Sequence, residues 1–99
     1  MTYNRSKFGT VTSQPRFVAR EFSVTTAGLS LGGDNLNSGV RIKADSDNAE
    51  DVFVGGSGVT ASAGYVLGSD EEVFIDVDSL SKVFVLSTGG GETLSYIGS

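Results

Sequence analysis

The chain has no cysteine and no histidine among its 99 residues. Without cysteine, disulfides and thiolate metal sites are excluded, and redox chemistry says nothing about compartment. Without histidine, the usual general base, the usual transition-metal ligand and the usual pH switch are missing. Tryptophan is absent too, which disfavours a sugar-binding module built on an aromatic platform. Tyr3, Tyr65 and Tyr96 would serve that purpose only if two were exposed side by side. No apolar run approaches the ~18 residues that a membrane helix needs. The opening Met-Thr-Tyr-Asn-Arg-Ser-Lys has no apolar stretch behind it and does not read as a secretory signal. The chain therefore reads as soluble and unprocessed.

Proline is nearly absent as well, Pro15 standing against 14 glycines. With many Val, Ser and Thr residues, that balance disfavours helix and favours strands joined by tight turns. The length allows one domain with one modest core.

Charge is split along the chain. Residues 1–20 hold Arg5, Lys7, Arg16 and Arg20 and no acid, a charge of +4. The remaining residues hold all 12 acids and only Arg41, Lys43 and Lys82, so −12 + 3 gives −9, and the two parts sum to the net −5. Opposite halves attract one another, between copies as readily as within one. An acidic body argues against nucleic acid as a partner, since phosphate contacts need clustered Lys and Arg. The four bases of the first segment are too scattered for that task.

Residues 1–15 show no sustained hydrophobic period and read as an extended basic arm, in which Pro15 pushes Gln14 toward extended backbone. Residues 16–99 read as a β-sandwich domain. Phe22 and Val24 alternate with Glu21, Ser23 and Thr25, a strand with one buried face. Phe17 and Val18 fall on opposite parities, which a bend or bulge near Ala19 would reconcile. Leu29, Leu31 and Leu36 anchor a loop over 27–39, with room for a short strand at 29–31. Val40, Ile42 and Ala44 face inward, with Arg41 and Lys43 outward. Val52–Val54 and Tyr65–Leu67 are short strands, the latter followed by a turn at Gly68-Ser69-Asp70. Val73, Ile75 and Val77 share one face. Phe74, on the other, marks a second packed surface or an interface. Leu80 is a plug. Lys82–Leu86 is apolar on both faces and reads as a central strand. Leu94 and Tyr96 close the domain. Seven or eight short strands with frequent turns predict an all-β antiparallel sandwich, jelly-roll-like or Ig-like.

No catalytic constellation emerges. Asp45-Ser-Asp-Asn-Ala-Glu-Asp51 opens like a calcium loop, but Glu50 stands where the loop needs glycine and Gly56 where it needs glutamate. It reads as a solvated turn. Asp70, Glu71 and Glu72 form a second acidic turn, with little material nearby for a glycosidase cleft. Gly55-Gly-Ser-Gly58 and Gly89-Gly-Gly91 lack the lysine and the helix of a phosphate-cradling loop and read as turns needing positive φ. A nucleophilic serine would need Lys82 as its base, and nothing near Ser81 suggests an oxyanion site. The reading is of a non-enzyme with no cofactor and no metal.

The segments Gly39-Val-Arg-Ile-Lys-Ala44, Val52–Thr60, Gly64–Leu67, Leu80–Val85 and Leu94-Ser-Tyr-Ile-Gly98 carry a resemblance. In cadence and composition, residues 39–98 resemble small β-domains in structural proteins of tailed bacteriophages: head decoration or cement proteins, and accessory domains of neck, tail and fibre. That family often has a proline-glycine turn where this chain has Gly68-Ser69-Asp70. The resemblance implies a non-enzymatic virion part, assembled in the bacterial cytoplasm and present in many copies. Its partner would be the major capsid protein or another virion protein, and the chain itself a homo-oligomer, a trimer being favoured, with neither nucleic acid nor membrane as a partner. The arm lies outside the resemblance and inside the basic segment. The expected partner interface is therefore Tyr3, Arg5, Lys7, Phe8, Val11, Arg16, Phe17 and Arg20. An extended arm of this kind could add a strand to a neighbour's sheet.

Overall fold

The computed structural model of the chain describes residues 17–99, so the arm expected at 1–15, and Arg16 with it, lies outside the described residues. Eight strands form: β1 (Val18–Val24), β2 (Leu29–Ser30), β3 (Val40–Ala44), β4 (Val52–Gly55), β5 (Tyr65–Leu67), β6 (Glu72–Ile75), β7 (Phe84–Ser87) and β8 (Glu92–Gly98). They make two four-stranded sheets, ordered β1-β8-β3-β6 and β2-β7-β4-β5, with every pairing antiparallel.

The topology follows from one long hairpin folded over. β4 pairs with β5 at its tip, then β3 with β6, β2 with β7 and β1 with β8. Rolling that hairpin brings β8 beside β3 and β7 beside β4, and the result is a jelly roll. An Ig-like sheet order would set more consecutive strands side by side. Of the two architectures that the pattern allows, this chain has the jelly roll.

Alternation places the core. Val40, Ile42 and Ala44 of β3 and Leu94 and Tyr96 of β8 are buried from one sheet, and Val52, Val54 and Val85 from the other. Each large side chain so buried contributes roughly 1.5–3 kcal/mol against its exposed state. Leu31, Leu36 and Leu80 close the end at which β1 begins. There, Leu36 N–H donates to Asp78 O at 2.7 Å and Leu80 N–H to Asp34 O at 2.9 Å, lashing the β2–β3 loop to the β6–β7 connection.

The strands that are apolar on both faces have a specific cause. Phe53 of β4 and Leu86 of β7 point away from the main core and meet Val59, with Phe84 packed alongside. The loop after β4 folds back so that Val59 covers Phe53 and Leu86 on the outer face of the second sheet. Its glycines serve close approach. A Cβ on Gly64 would lie 2.8 Å from Val59 Cγ2, and one on Gly55 would lie 3.0 Å from the same atom.

Four local expectations need correction. The β1–β8 register runs without a break from Val18 opposite Gly98 to Val24 opposite Glu92, so there is no bulge near Ala19; Phe17 simply precedes the strand. Positive φ occurs at Gly90 and Gly91 but at none of Gly55, Gly56 and Gly58, where space or a plain turn accounts for glycine. Leu29 is 43% exposed and is no anchor, because β2 is an edge strand. Finally, Leu80–Lys82 is a 3-10 turn capped by the Ser79 hydroxyl, so β7 begins at Phe84.

Candidate interaction surface

Of the expected interface, Tyr3, Arg5, Lys7, Phe8, Val11 and Arg16 lie outside the described residues. Phe17 and Arg20 are described, and both are exposed. Phe17 is 72% exposed at the root of β1 and lines an open groove of about 410 Å³ on the outer face of the first sheet.

Strand register builds this groove. Arg41 of β3 sits opposite Phe74 of β6 on one side and Ile97 of β8 on the other, and Ile97 in turn faces Ala19 of β1. A single row thus crosses all four strands, and Phe74 and Ile97 remain 50% and 48% exposed. The Arg41 guanidinium stands 5.7 Å from the Phe74 ring centroid, within cation–π range. It also lies 4.0 Å from Glu72. Gly39 makes this packing possible, since a Cβ there would come within 2.8 Å of Phe74 Cζ. The Phe74 face expected to be a packed surface or an interface is left uncovered by the described residues.

Arg20 lies opposite Tyr96, on the inward parity of an edge strand. It reaches outward instead and stands 4.0 Å from Asp34. A charged side chain on an edge strand opposes pairing with a foreign strand, so Arg20 guards the β1 edge.

The opposite end of the sandwich carries the acidic turns. The 45–51 loop is pinned to β8 by Asn48, whose side chain donates to Thr93 O and accepts from Thr93 N–H, both at 2.9 Å. Below it, Glu92 is 5% exposed. Its Oε2 accepts from Glu50 N–H at 3.2 Å, while Oε1 is buried with no hydrogen-bond partner among the described residues. Sequence reasoning missed Glu92, although it shares the parity of Leu94 and Tyr96. Extending that alternation by one step would have placed it inside. Lys43 reaches Asp70 at 3.1 Å, and that hydrogen bond, with the charge behind it, raises the lysine pKa above its ordinary value. Asp78 is lowered by its hydrogen bond to Lys82, 2.8 Å away. Tyr96 is buried and Tyr65 exposed, so these two do not form an aromatic pair on the surface.

No protein-family model matches the chain, and no curated protein matches it. Among solved structures, it is similar to one from work reporting that "Bacillus endospore appendages form a novel family of disulfide-linked pili". That match has a TM-score of 0.51 and 15% identity, and covers 92% of this chain and 97% of that one. At that identity the likeness shows a shared fold.

Proposed function

We propose that this chain is a non-enzymatic structural subunit of a many-copy assembly, its N-terminal segment reaching a neighbouring subunit or an underlying shell. The observation that carries this reading is the apolar row of Phe74 and Ile97, which the described residues leave uncovered, with Phe17 at its rim. Exposed apolar surface gathered at one place marks a contact surface more often than a reaction site. In its finer form the role is decoration or cement on the head of a tailed bacteriophage, which the resemblance of residues 39–98 supports. Weak contacts repeated over a lattice would then hold by multivalency. Removing residues 1–15 and measuring occupancy on purified capsids tests this. The expected result is loss of binding, and unchanged occupancy would remove the segment from the role.

A second reading, a filament subunit, is favoured by the fold shared with the endospore appendage. Those pili are disulfide-linked, whereas this chain has no cysteine, so its copies would be held without disulfides. Electron microscopy of the purified chain separates the two readings. Filaments formed by the chain alone support the second, and binding only on shells supports the first.

A further inference from the structure

The outer face of the first sheet differs from the rest of the surface in charge as well as in apolar content. Its strands present Glu21, Arg41, Lys43 and Glu72 on that face, and −2 + 2 leaves it neutral. The described residues hold 12 acids against Arg20, Arg41, Lys43 and Lys82, so −12 + 4 gives −8, all of it carried elsewhere. The whole chain remains at −5. Two copies of so acidic a molecule repel where their acidic surfaces meet. The neutral face, with Phe74 and Ile97 half exposed and Phe17 beside them, is where they approach without that cost.

The row also complements itself in shape. Across β1, β8, β3 and β6 it runs Ala19, Ile97, Arg41, Phe74, small at one edge and large at the other. A second copy turned about an axis along the strands, between β8 and β3, lays its β6 over β1 and its β3 over β8. Phe74 then stands over the partner's Ala19, and Ile97 over the aliphatic stem of the partner's Arg41. Large groups facing small ones let two layers interdigitate. Gly39 and Gly98 keep the floor of the groove low enough for this. One row further on, the same turn sets Glu21 over the partner's Glu72. Lys43, beside Glu72, is already held by Asp70. That pair of carboxylates is a repulsion particular to this arrangement.

We propose that the outer face of the first sheet pairs with the same face of a second copy, an isologous contact that closes as a two-fold pair. This deepens the assembly reading above and rests on it, because it names the surface by which two copies touch. Four strands ~4.8 Å apart and up to seven residues long, at ~3.3 Å per residue, make a face of roughly 440 Å², so a pair buries about 900 Å². That is less than the ~1,200 Å² at which stable interfaces begin, so the contact is weak alone and is sustained by repetition in an assembly.

The test is sedimentation equilibrium of the full-length chain over a range of concentrations, with hydroxyl-radical footprinting of Phe74 in the same samples. Wild type is expected to pass from monomer to dimer as concentration rises, with Phe74 becoming protected in step. High salt should strengthen the pair, since it screens repulsion between acidic molecules and spares the apolar contact. Phe74→Ser and Ile97→Ser should each weaken it about tenfold, and melting curves matching wild type confirm folding. Glu21→Lys should strengthen it, and by more than Asp47→Lys, which changes the net charge equally from an exposed site in the 45–51 turn. Equal effects of these two would overturn the two-fold arrangement. Phe74 protected at every dilution of a monomer would show the chain covering its own row, and that too overturns the inference. Association that neither serine variant weakens leaves the assembly reading standing and removes this face from it. A chain monomeric at every concentration, with Phe74 reactive, overturns the inference, while capsid occupancy and microscopy still decide the assembly reading.

Discussion

The outer faces of the two sheets pose the same problem and answer it differently. On the second sheet, Phe53 and Leu86 point outward, and the chain covers them with its own loop, Val59 serving as the plug. On the first sheet, Phe74 and Ile97 point outward and nothing among the described residues covers them. The difference teaches where the molecule is complete. On the second sheet, local sequence covers Phe53 and Leu86, at the expense of tight glycines at positions 55 and 64, and leaves exposed only the edge residue Val66 opposite Phe53 among the large apolar groups of that row. The first sheet keeps half-exposed apolar groups at Phe74 and Ile97, beside the exposed Phe17.

The largest expected effect lies in the layer both faces share. Leu80 is fully buried, tying the 3-10 turn into the core. Leu80→Ala should cost about 2–5 kcal/mol by denaturant unfolding, since it leaves a cavity as well as losing apolar contact. A loss under about 1 kcal/mol would mean that this end collapses freely around the gap. Val59→Ala comes next. Removing two methyl groups from the small outer cluster should cost about 1–2 kcal/mol. A negligible cost would break the comparison, because the second sheet would then be no better sealed than the first.

Much of this contrast was legible in the sequence, and the reasons are physical. Period-two alternation fixed β3 and β6 residue by residue, because a one-residue slip would turn every apolar side chain outward. Phe74 stood out on a charged face for the same reason. The runs Val52–Val54 and Lys82–Leu86 read as buried strands, the latter central, but nothing local pointed to a covering layer or named Val59 as the cover. That contact depends on a loop folding back, and folding back is tertiary. The 3-10 turn at Leu80–Lys82 was hidden because Val83 is apolar and extends the strand pattern by one residue. The row from Phe74 through Arg41 to Ile97 joins β6, β3 and β8, strands distant in sequence, so only register reveals it. Jelly roll and Ig-like sandwich share strand lengths and turn spacing, and differ only in which strands pair.

Ile97→Ser sharpens the comparison from the other side. The residue is 48% exposed and outside the main core, so the melting temperature of the monomer should move little, corresponding to about 0.5 kcal/mol or less. Association or shell binding should weaken clearly, as scored by sedimentation or capsid occupancy. Large destabilisation with intact association would show that Ile97 packs within its own molecule, leaving the first sheet as self-sufficient as the second.

The smallest effect concerns the ion pairs that stand where packing does not. Asp78 is held below the usual carboxylate range by Lys82, so its contribution is present above the unfolded carboxylate pKa and disappears as pH falls through the lower folded value. Lys43 is held above its ordinary 10.5 by Asp70, so its contribution is complete below that value and disappears as pH rises through the higher folded one. Both pairs are solvent-exposed, and exposed pairs of this kind are weak and screened by salt. Stability should therefore be flat through neutral pH, with shallow declines at the acidic and basic extremes that added salt reduces. Asp78→Asn should flatten the acidic decline without moving the basic one, which pH-dependent thermal melts would resolve. A steep change in stability near neutrality would contradict this, because among the described residues no group with a resolved shift titrates there. The first sheet's charged neighbours would then contribute more than solvated pairs can, and its open face would owe its form to electrostatics and not to a missing partner.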